Sequence, residues 1–184
     1  MSSYRLEIAY LPEYHPHFTV LNQLQRDFAD SLESGEVRRV FFFDFEPSQD
    51  PGREQLLAFA RELLLDPLTE VMIEGAQSDH QFSSSVYGEK ALEQKVLSVD
   101  VRFRPGVTDN TALALKEAME LSGHFPSSIA SGHVYLFSLP REKWESLGEW
   151  LEGHAYNPLI QESRSLTFSE RQSLFESPQL TSVE

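Results

Sequence analysis

The feature that most restricts the fold is a succession of five predicted elements that occurs twice in the chain. Tyr4 to Leu11 alternates apolar and polar residues with a period of two, and Leu97 to Arg104 does the same. Each segment is followed by an amphipathic helical stretch, an aromatic strand, a second helical stretch and a closing strand. The order strand, helix, strand, helix, strand is therefore predicted for residues 1–76, the first unit, and again for residues 96–168, the second unit.

The two units end on the same local signal. Asp66-Pro67-Leu68 closes the first unit and Asn157-Pro158-Leu159 closes the second. Proline cannot continue a helix and biases the preceding residue toward extended geometry, so a terminal strand is predicted after each proline. Residues 77–95 are polar and serine-rich without sustained periodicity, which predicts a linker. Residues 169–184 are predicted to be a tail with at most one short helical turn.

The small size of each unit predicts how the two are arranged. A unit of roughly 70 residues offers two helices, which cover one face of a small sheet and leave the other face bare. Two units in one chain can shelter each other, either face to face or by joining their edge strands into one longer sheet. We expect an α+β fold in which tandem β-α-β-α-β repeats form an intramolecular pseudo-dimer, with antiparallel sheets covered by helices.

Charge and composition exclude several classes of function. Twenty-nine acidic against fifteen basic side chains give a formal net charge of −14, which repels nucleic-acid phosphates and anionic lipid headgroups. The absence of cysteine excludes disulfides, thiolate metal sites and cysteine nucleophiles. The start of the chain does not resemble a leader peptide, and no apolar run approaches the roughly 20 residues that span a bilayer. We expect a soluble cytoplasmic protein that binds neither nucleic acid nor membrane.

The chemistry-bearing residue types form no pattern specific to catalysis. His15 and His17 are neighbours without a third ligand at a recognisable spacing, so we assign no metal. The serine-rich stretches contain no nucleophile elbow, and no glycine pattern of a nucleotide-binding loop occurs. We therefore assign no catalytic, cofactor-binding or metal-binding residue.

A Pro-Gly corner joins the second opening strand to its helix. Pro105 fixes φ and removes a donor, Gly106 permits the tight corner, and Asp109 or Thr108 is predicted to cap a helix that begins near Asn110. A structural joint accounts for each of these residues. The alternative is that the exposed amides of the helix start hold an anion or a partner's carboxylate.

These segments resemble a known family. "VDVRFRPGVTDNTALALKEAMEL" resembles the opening strand, Pro-Gly-Val-x-Asp turn and first helix of PurS-type domains. "GHVYLFSLPREKWESLGEWLEGHAYNPLIQES" is similar to their later strand, second helix and N-P-x-I-x-E closing strand. Together they cover nearly all of residues 96–168. Residues 1–76 match in layout only, because "YLPEYHPHFTVLNQL" lacks the turn and only Asp66-Pro67-Leu68 is kept, so the first unit resembles a degenerate copy.

The resemblance implies a function without catalysis of its own. PurS is the small, non-catalytic component of formylglycinamide ribonucleotide amidotransferase, or phosphoribosylformylglycinamidine synthase, an ATP- and glutamine-dependent ligase of purine biosynthesis. In that family PurS pairs as a dimer that bridges a synthetase and a glutaminase, and large single-chain versions carry an N-terminal region resembling the dimer. The resemblance implies that this chain, as a subunit or an N-terminal region, bridges these partners and supports ammonia transfer. It also implies that this chain binds neither ATP nor a metal ion.

Two groups of residues match the family motifs position by position. They lie around the Pro-Gly corner and the closing strand, and no catalytic residue is among them. The resemblance makes them the candidate partner interface, which consists of Arg104, Pro105, Gly106, Thr108, Asp109, Asn110, Asn157, Pro158 and Glu162.

Other readings remain open. The alternative function is a regulatory α+β module that binds a small metabolite in the cleft between the repeats. An independent small enzyme on a dimeric α+β barrel is ranked last, because the sequence shows no set of polar residues that would converge in a cleft. Trp144 and Trp150 lie six apart on one helix, so one of them is either an exposed anchor for a partner or partly buried against the linker. Further homo-oligomerisation is also left open.

Overall fold

The computed structural model describes residues 1–11, 14, 19–74, 89–176 and 179–180. It confirms the predicted α+β class with an antiparallel sheet. The strands and helices, in chain order, are β1 (Ser2–Tyr10), α1 (Thr19–Asp27), β2 (Ser34–Phe45), α2 (Gly52–Leu63), β3 (Glu70–Ile73), α3 (Glu89–Lys95), β4 (Val96–Phe103), α4 (Asn110–Leu121), β5 (Ser128–Ser138), α5 (Trp144–His154), β6 (Gln161–Leu166), α6 (Phe168–Glu176) and β7 (Gln179–Leu180).

One sheet runs through both units. Its strand order is β3-β1-β2-β5-β4-β6, with β7 added to β1 at Ser2 and Ser3. Neighbouring strands are antiparallel, and the two units meet where β2 pairs with β5, from Ser34 opposite Ser138 to Asp44 opposite Ser128. Counted outward from this junction, the strand order is β2, β1, β3 in one direction and β5, β4, β6 in the other. Of the two arrangements expected from sequence, the sheet thus has the one in which edge strands join.

The first face of the sheet carries the main core under four helices. Alternation along the strands places apolar side chains such as Leu6, Phe41 and Phe137 on this face. The first helix of each unit packs in the cluster of the other unit. Leu24 of α1 lies in the cluster that contains α5, and Met119 of α4 lies in the cluster that contains α2. The two units therefore share their core on this face.

The second face is covered by α3 and α6, which come from the stretches predicted as linker and tail. Leu92 of α3 and Phe168 of α6 pack with Val40, Val134 and neighbouring apolar residues in one cluster. Phe175 of α6 packs with Ala9 and Ile73 in another cluster. α6 is longer than the single turn that the tail sequence suggested, and the linker stretch contains a helix that its irregular pattern did not indicate. The face expected to be bare in each isolated unit is thus partly covered.

Two kinds of functional feature are absent from the described residues, 1–11, 14, 19–74, 89–176 and 179–180. No helix within these ranges is both long enough and apolar enough to cross a membrane. Over the same ranges, no group of three or more histidine, aspartate or glutamate side chains is placed to hold a metal ion. His15 and His17 lie outside the described residues.

Candidate functional site

The Pro-Gly corner is a joint between β4, α4 and β5. Gly106 has φ +86°, a left-handed conformation that favours glycine. Asp109 is the N-cap of α4, and its Oδ1 accepts a hydrogen bond of 2.9 Å from the backbone N–H of Ala112. The same carboxylate accepts from the backbone N–H and the hydroxyl of Ser131 on β5, at 2.7 and 2.9 Å. Of the two predicted caps, Asp109 is confirmed, and it also fixes the start of α4 against the sheet.

The structure brings the two predicted interface segments together at one end of the sheet. The backbone N–H of Arg104 donates to the carbonyl of Ile160 at 3.0 Å. The Nε of Arg104 donates to the carbonyls of Pro158 and Gln161 at 3.0 and 3.1 Å. Thr108 and Asn110 are exposed beside this contact, next to the cap of α4. These segments therefore form one continuous surface.

The closing turn before β6 and the closing turn before β3 have the same hydrogen bonds. Asn157 Oδ1 accepts from the N–H of Leu159 at 3.0 Å, and Asp66 Oδ1 accepts from the N–H of Leu68 at 3.0 Å. The N–H of Asn157 donates to the side chain of Gln161, as the N–H of Asp66 donates to the side chain of Glu70, both at 3.0 Å. Both turns present an exposed leucine, with Leu68 77% and Leu159 84% accessible.

A network of buried charges lies on the second face. Glu7 of β1 is fully buried and accepts hydrogen bonds from three guanidinium groups, those of Arg5 at 2.8 and 3.0 Å, Arg38 at 3.2 Å and Arg171 at 2.6 Å. Because Arg171 belongs to α6, this helix is held on the sheet by charge as well as by its apolar contacts.

The network extends to two further carboxylates. Arg38 donates to both oxygens of Glu36, at 2.7 and 2.9 Å. Arg5 donates to both oxygens of Asp100 on β4, which links the first unit to the second. Three buried arginines are thus balanced by three buried carboxylates. Such a network contributes little net stability compared with an apolar core, but loss of one member leaves an uncompensated buried charge.

The pKa values follow from this arrangement. Burial acts to raise the pKa of Glu7, but the positive charges of Arg171, Arg5 and Arg38 outweigh burial and lower the pKa well below its ordinary value of 4.5. Burial acts to lower the pKa of Arg5, but Glu7 and Asp100 outweigh it and raise that pKa. Both shifts favour the charged forms, so Glu7 and Arg5 stay ionised at neutral pH.

An open cleft of about 230 Å³ lies beside the network on the second face. Phe42 lies in its wall, with the Cζ atoms of Arg5 and Arg102 at 5.3 and 6.0 Å from the ring centroid. Alternation places Ala130 of β5, which stands opposite Phe42, on this same face. The lining residues are Ser3, Tyr4, Arg5, Phe42, Asp44, Asp100, Arg102, Glu162, Ser163, Arg164 and Leu174.

Glu162 is the one predicted interface residue that lines this cleft. Its Oε1 accepts a hydrogen bond of 2.8 Å from the Nε of Arg102 on the neighbouring strand. It therefore lines the cleft on the second face, directly after Gln161, whose carbonyl accepts from Arg104.

Both tryptophans of α5 are half-buried. The Nε1 of Trp150 donates to Asp27 Oδ2 at 2.7 Å, and its ring makes an edge-to-face contact with Phe28. The Nε1 of Trp144 donates to the carbonyl of Leu139 at 3.3 Å. Partial burial is thus the correct alternative for both residues, and the contacts of Trp150 include Asp27 and Phe28 at the end of α1.

Sequence reasoning did not find the buried charges. It placed Arg5, Glu7 and Asp100 on the polar side of alternating strands, without a covering element. One signal was present, because charges of opposite sign stand two residues apart at Arg5 and Glu7 and again at Glu36 and Arg38. Such pairs share one face of a strand and can neutralise each other when that face is covered.

Comparison with known proteins does not assign the chain to a family. No protein-family model matches the chain, and the search of curated proteins gives no match.

Proposed function

We propose that this chain is a non-catalytic, PurS-like component of phosphoribosylformylglycinamidine synthase, either as a subunit or as an N-terminal region. In this role it bridges the synthetase and the glutaminase of purine biosynthesis and supports the transfer of ammonia between them, in the cytoplasm. The proposal includes the finer reading of the fold, in which residues 1–76 and 96–168 are two PurS-like copies paired as an intramolecular pseudo-dimer.

The observation that carries the proposal is the likeness of the two closing turns. Asp66 and Asn157 begin turns that agree in two side-chain hydrogen bonds, one of which runs from the backbone N–H of the turn to the first side chain of the next strand. The same likeness extends to the strand order on either side of the β2–β5 junction. Twofold repetition of this kind supports two copies of one ancestral unit, and the motifs of the second unit support PurS as that unit.

A docking surface consistent with this role is formed by the corner and the second closing turn. The backbone of this surface is fixed by Arg104, while the side chains of Pro105, Thr108 and Asn157 are not buried. Leu159, which is 84% accessible, projects from the same turn. An exposed apolar side chain on a rigid turn with a polar rim is the arrangement from which interface hot spots are built.

Complex formation tests the proposal. The chain is mixed with the synthetase and glutaminase components of the family, and the mixture is separated by size-exclusion chromatography. We expect co-elution of the three proteins, and a mixture with bovine serum albumin in place of the two components serves as the control. Elution of the chain at its own volume in both mixtures contradicts the bridging role.

A regulatory module that binds a small metabolite is the second candidate function. The observation in its favour is the cleft on the second face, whose lining comes from both units. Calorimetric titration with amino acids and nucleotides tests this candidate. Saturable heat supports it, and titrations that show only dilution heat contradict it.

A further inference from the structure

We infer that the cleft on the second face is a binding site for a small oxyanion, a molecule that carries a carboxylate or a phosphate group. The inference deepens the second candidate function, on which it rests for its regulatory meaning, and it does not depend on the bridging role. It is carried by the positions of Arg164 and Arg102 in the cleft and by the carboxylates around them.

Arg164 is a cation whose expected partner is occupied. It stands directly opposite Asp100 in the register of β4 and β6, where a cross-strand ion pair would ordinarily form. Both oxygens of Asp100 instead accept hydrogen bonds from Arg5. Within the described residues Arg164 forms no salt bridge, although its charge also acts on the carboxylate of Glu170, and its side chain is exposed at the cleft. Its guanidinium group is thus available to a ligand.

Arg102 adds a second guanidinium with available donors. Only its Nε is hydrogen-bonded, to Glu162, and the described part of the chain offers no acceptor to its terminal nitrogens. Arginine presents its donors in a planar fork that matches carboxylate and phosphate oxygens in pairs. Two such forks in one cleft favour an oxyanion over a neutral ligand.

The carboxylates of the cleft are already engaged. Asp44 accepts hydrogen bonds from the hydroxyls of Ser3 at 2.6 Å and Ser128 at 2.5 Å. Asp100 is bound by Arg5, and Glu162 by Arg102. The formal charges of the three acids and three arginines in the lining therefore balance. The carboxylates already accept hydrogen bonds, whereas, among the described residues, Arg102 and Arg164 still have N–H groups free to donate. This difference makes the cleft selective for acceptor-rich ligands.

The size of the cleft limits the ligand. Its volume of about 230 Å³ is below the range of roughly 300–1,000 Å³ that holds drug-sized molecules. Phe42 and Leu174 supply an apolar wall beside the charged groups. A small organic acid or a small phosphate compound fits both the volume and this mixed lining.

Isothermal titration calorimetry tests the site with inorganic phosphate and with succinate, each against sodium chloride at matched ionic strength. We expect saturable binding of at least one probe at concentrations up to about 10 mM. Binding of phosphate alone assigns a phosphate-bearing ligand, and binding of succinate alone assigns a carboxylate. Failure of both probes to saturate overturns the inference.

Matched variants identify the residue responsible. Arg164→Ala is expected to weaken binding by about tenfold or more, because it removes a charge-assisted pair of hydrogen bonds. Arg26→Ala, at an exposed arginine on α1 across the sheet, is expected to leave the affinity unchanged. Circular dichroism checks that both variants fold. An equal loss in both variants, or no loss in Arg164→Ala, overturns the inference, whereas the bridging role is tested separately by complex formation.

Discussion

Replacement of Glu7 by glutamine tests the buried charge network directly. Glutamine keeps the size of the side chain but removes the charge that three guanidinium groups share. The amide also places a donor beside these groups, where the carboxylate offered only acceptors. Because Glu7 is fully buried, water cannot replace the lost interactions.

The expected loss of stability is large. Removing one member of a buried ion network costs about 3–5 kcal/mol, because the remaining charges are left uncompensated. A domain of this kind has a free energy of unfolding of about 5–15 kcal/mol, so the loss is a substantial fraction of the total. For a chain of this length it corresponds to a fall in Tm of about 6–20 °C.

Urea unfolding, followed by circular dichroism and tryptophan fluorescence, measures the effect. Glu33→Gln is the matched control, because Glu33 pairs with Lys95 where both side chains are about half exposed. An exposed pair of this kind contributes at most about 1 kcal/mol. If Glu7→Gln costs no more than Glu33→Gln, the network does not have the energetic role that its burial implies.

Three further predictions follow from single features of the structure. The pKa of Glu7 is lower in the folded than in the unfolded chain, so its contribution to stability is present above about pH 4.5 and is lost as the pH falls toward the folded pKa. Measured by urea unfolding between pH 7 and 3, the free energy of unfolding should therefore decline less steeply for Glu7→Gln than for the unmodified chain. Parallel curves would contradict this. Asp109→Ala should destabilise the fold by about 1–2 kcal/mol through loss of the α4 cap, whereas Thr108→Ala should change the free energy of unfolding by no more than about 0.5 kcal/mol. Thermal unfolding compares the two variants, and equal effects would refute the assignment of the cap. Leu159→Asp should weaken binding to the synthetase and glutaminase by about tenfold, whereas Leu121→Asp, at a 90% accessible leucine on α4, should leave binding unchanged. A pull-down titration compares the two variants, and equal affinities would show that Leu159 is not part of the interface.

Local signals explain what could be predicted from sequence. The period of two in β1 and β4 is set by residues in direct succession, and the cap at Asp109 follows a Pro-Gly corner within a few residues. These features depend on steric and hydrogen-bonding preferences that the chain carries locally. They were accordingly predicted with nearly correct bounds.

Long-range contacts explain what could not be predicted. The choice between stacked sheets and a joined sheet depends on whether β2 pairs with β5, and each strand alone is compatible with both arrangements. The buried state of Glu7 depends on α6, which contributes Arg171 from the far end of the chain. The cleft depends likewise on Asp100 being bound by Arg5 and not by Arg164, a competition that strand patterns do not reveal.

Glutamine-dependent turnover of the reconstituted synthetase and glutaminase, with and without this chain, tests the proposed function most directly. Ammonium supplied in solution serves as the control substrate, because it reaches the synthetase without a bridge. The bridging account predicts that omission of the chain lowers glutamine-dependent turnover by about tenfold or more, since the glutaminase then loses its high effective concentration at the synthetase, while ammonium-dependent turnover is retained. Unchanged glutamine-dependent turnover without the chain would contradict it.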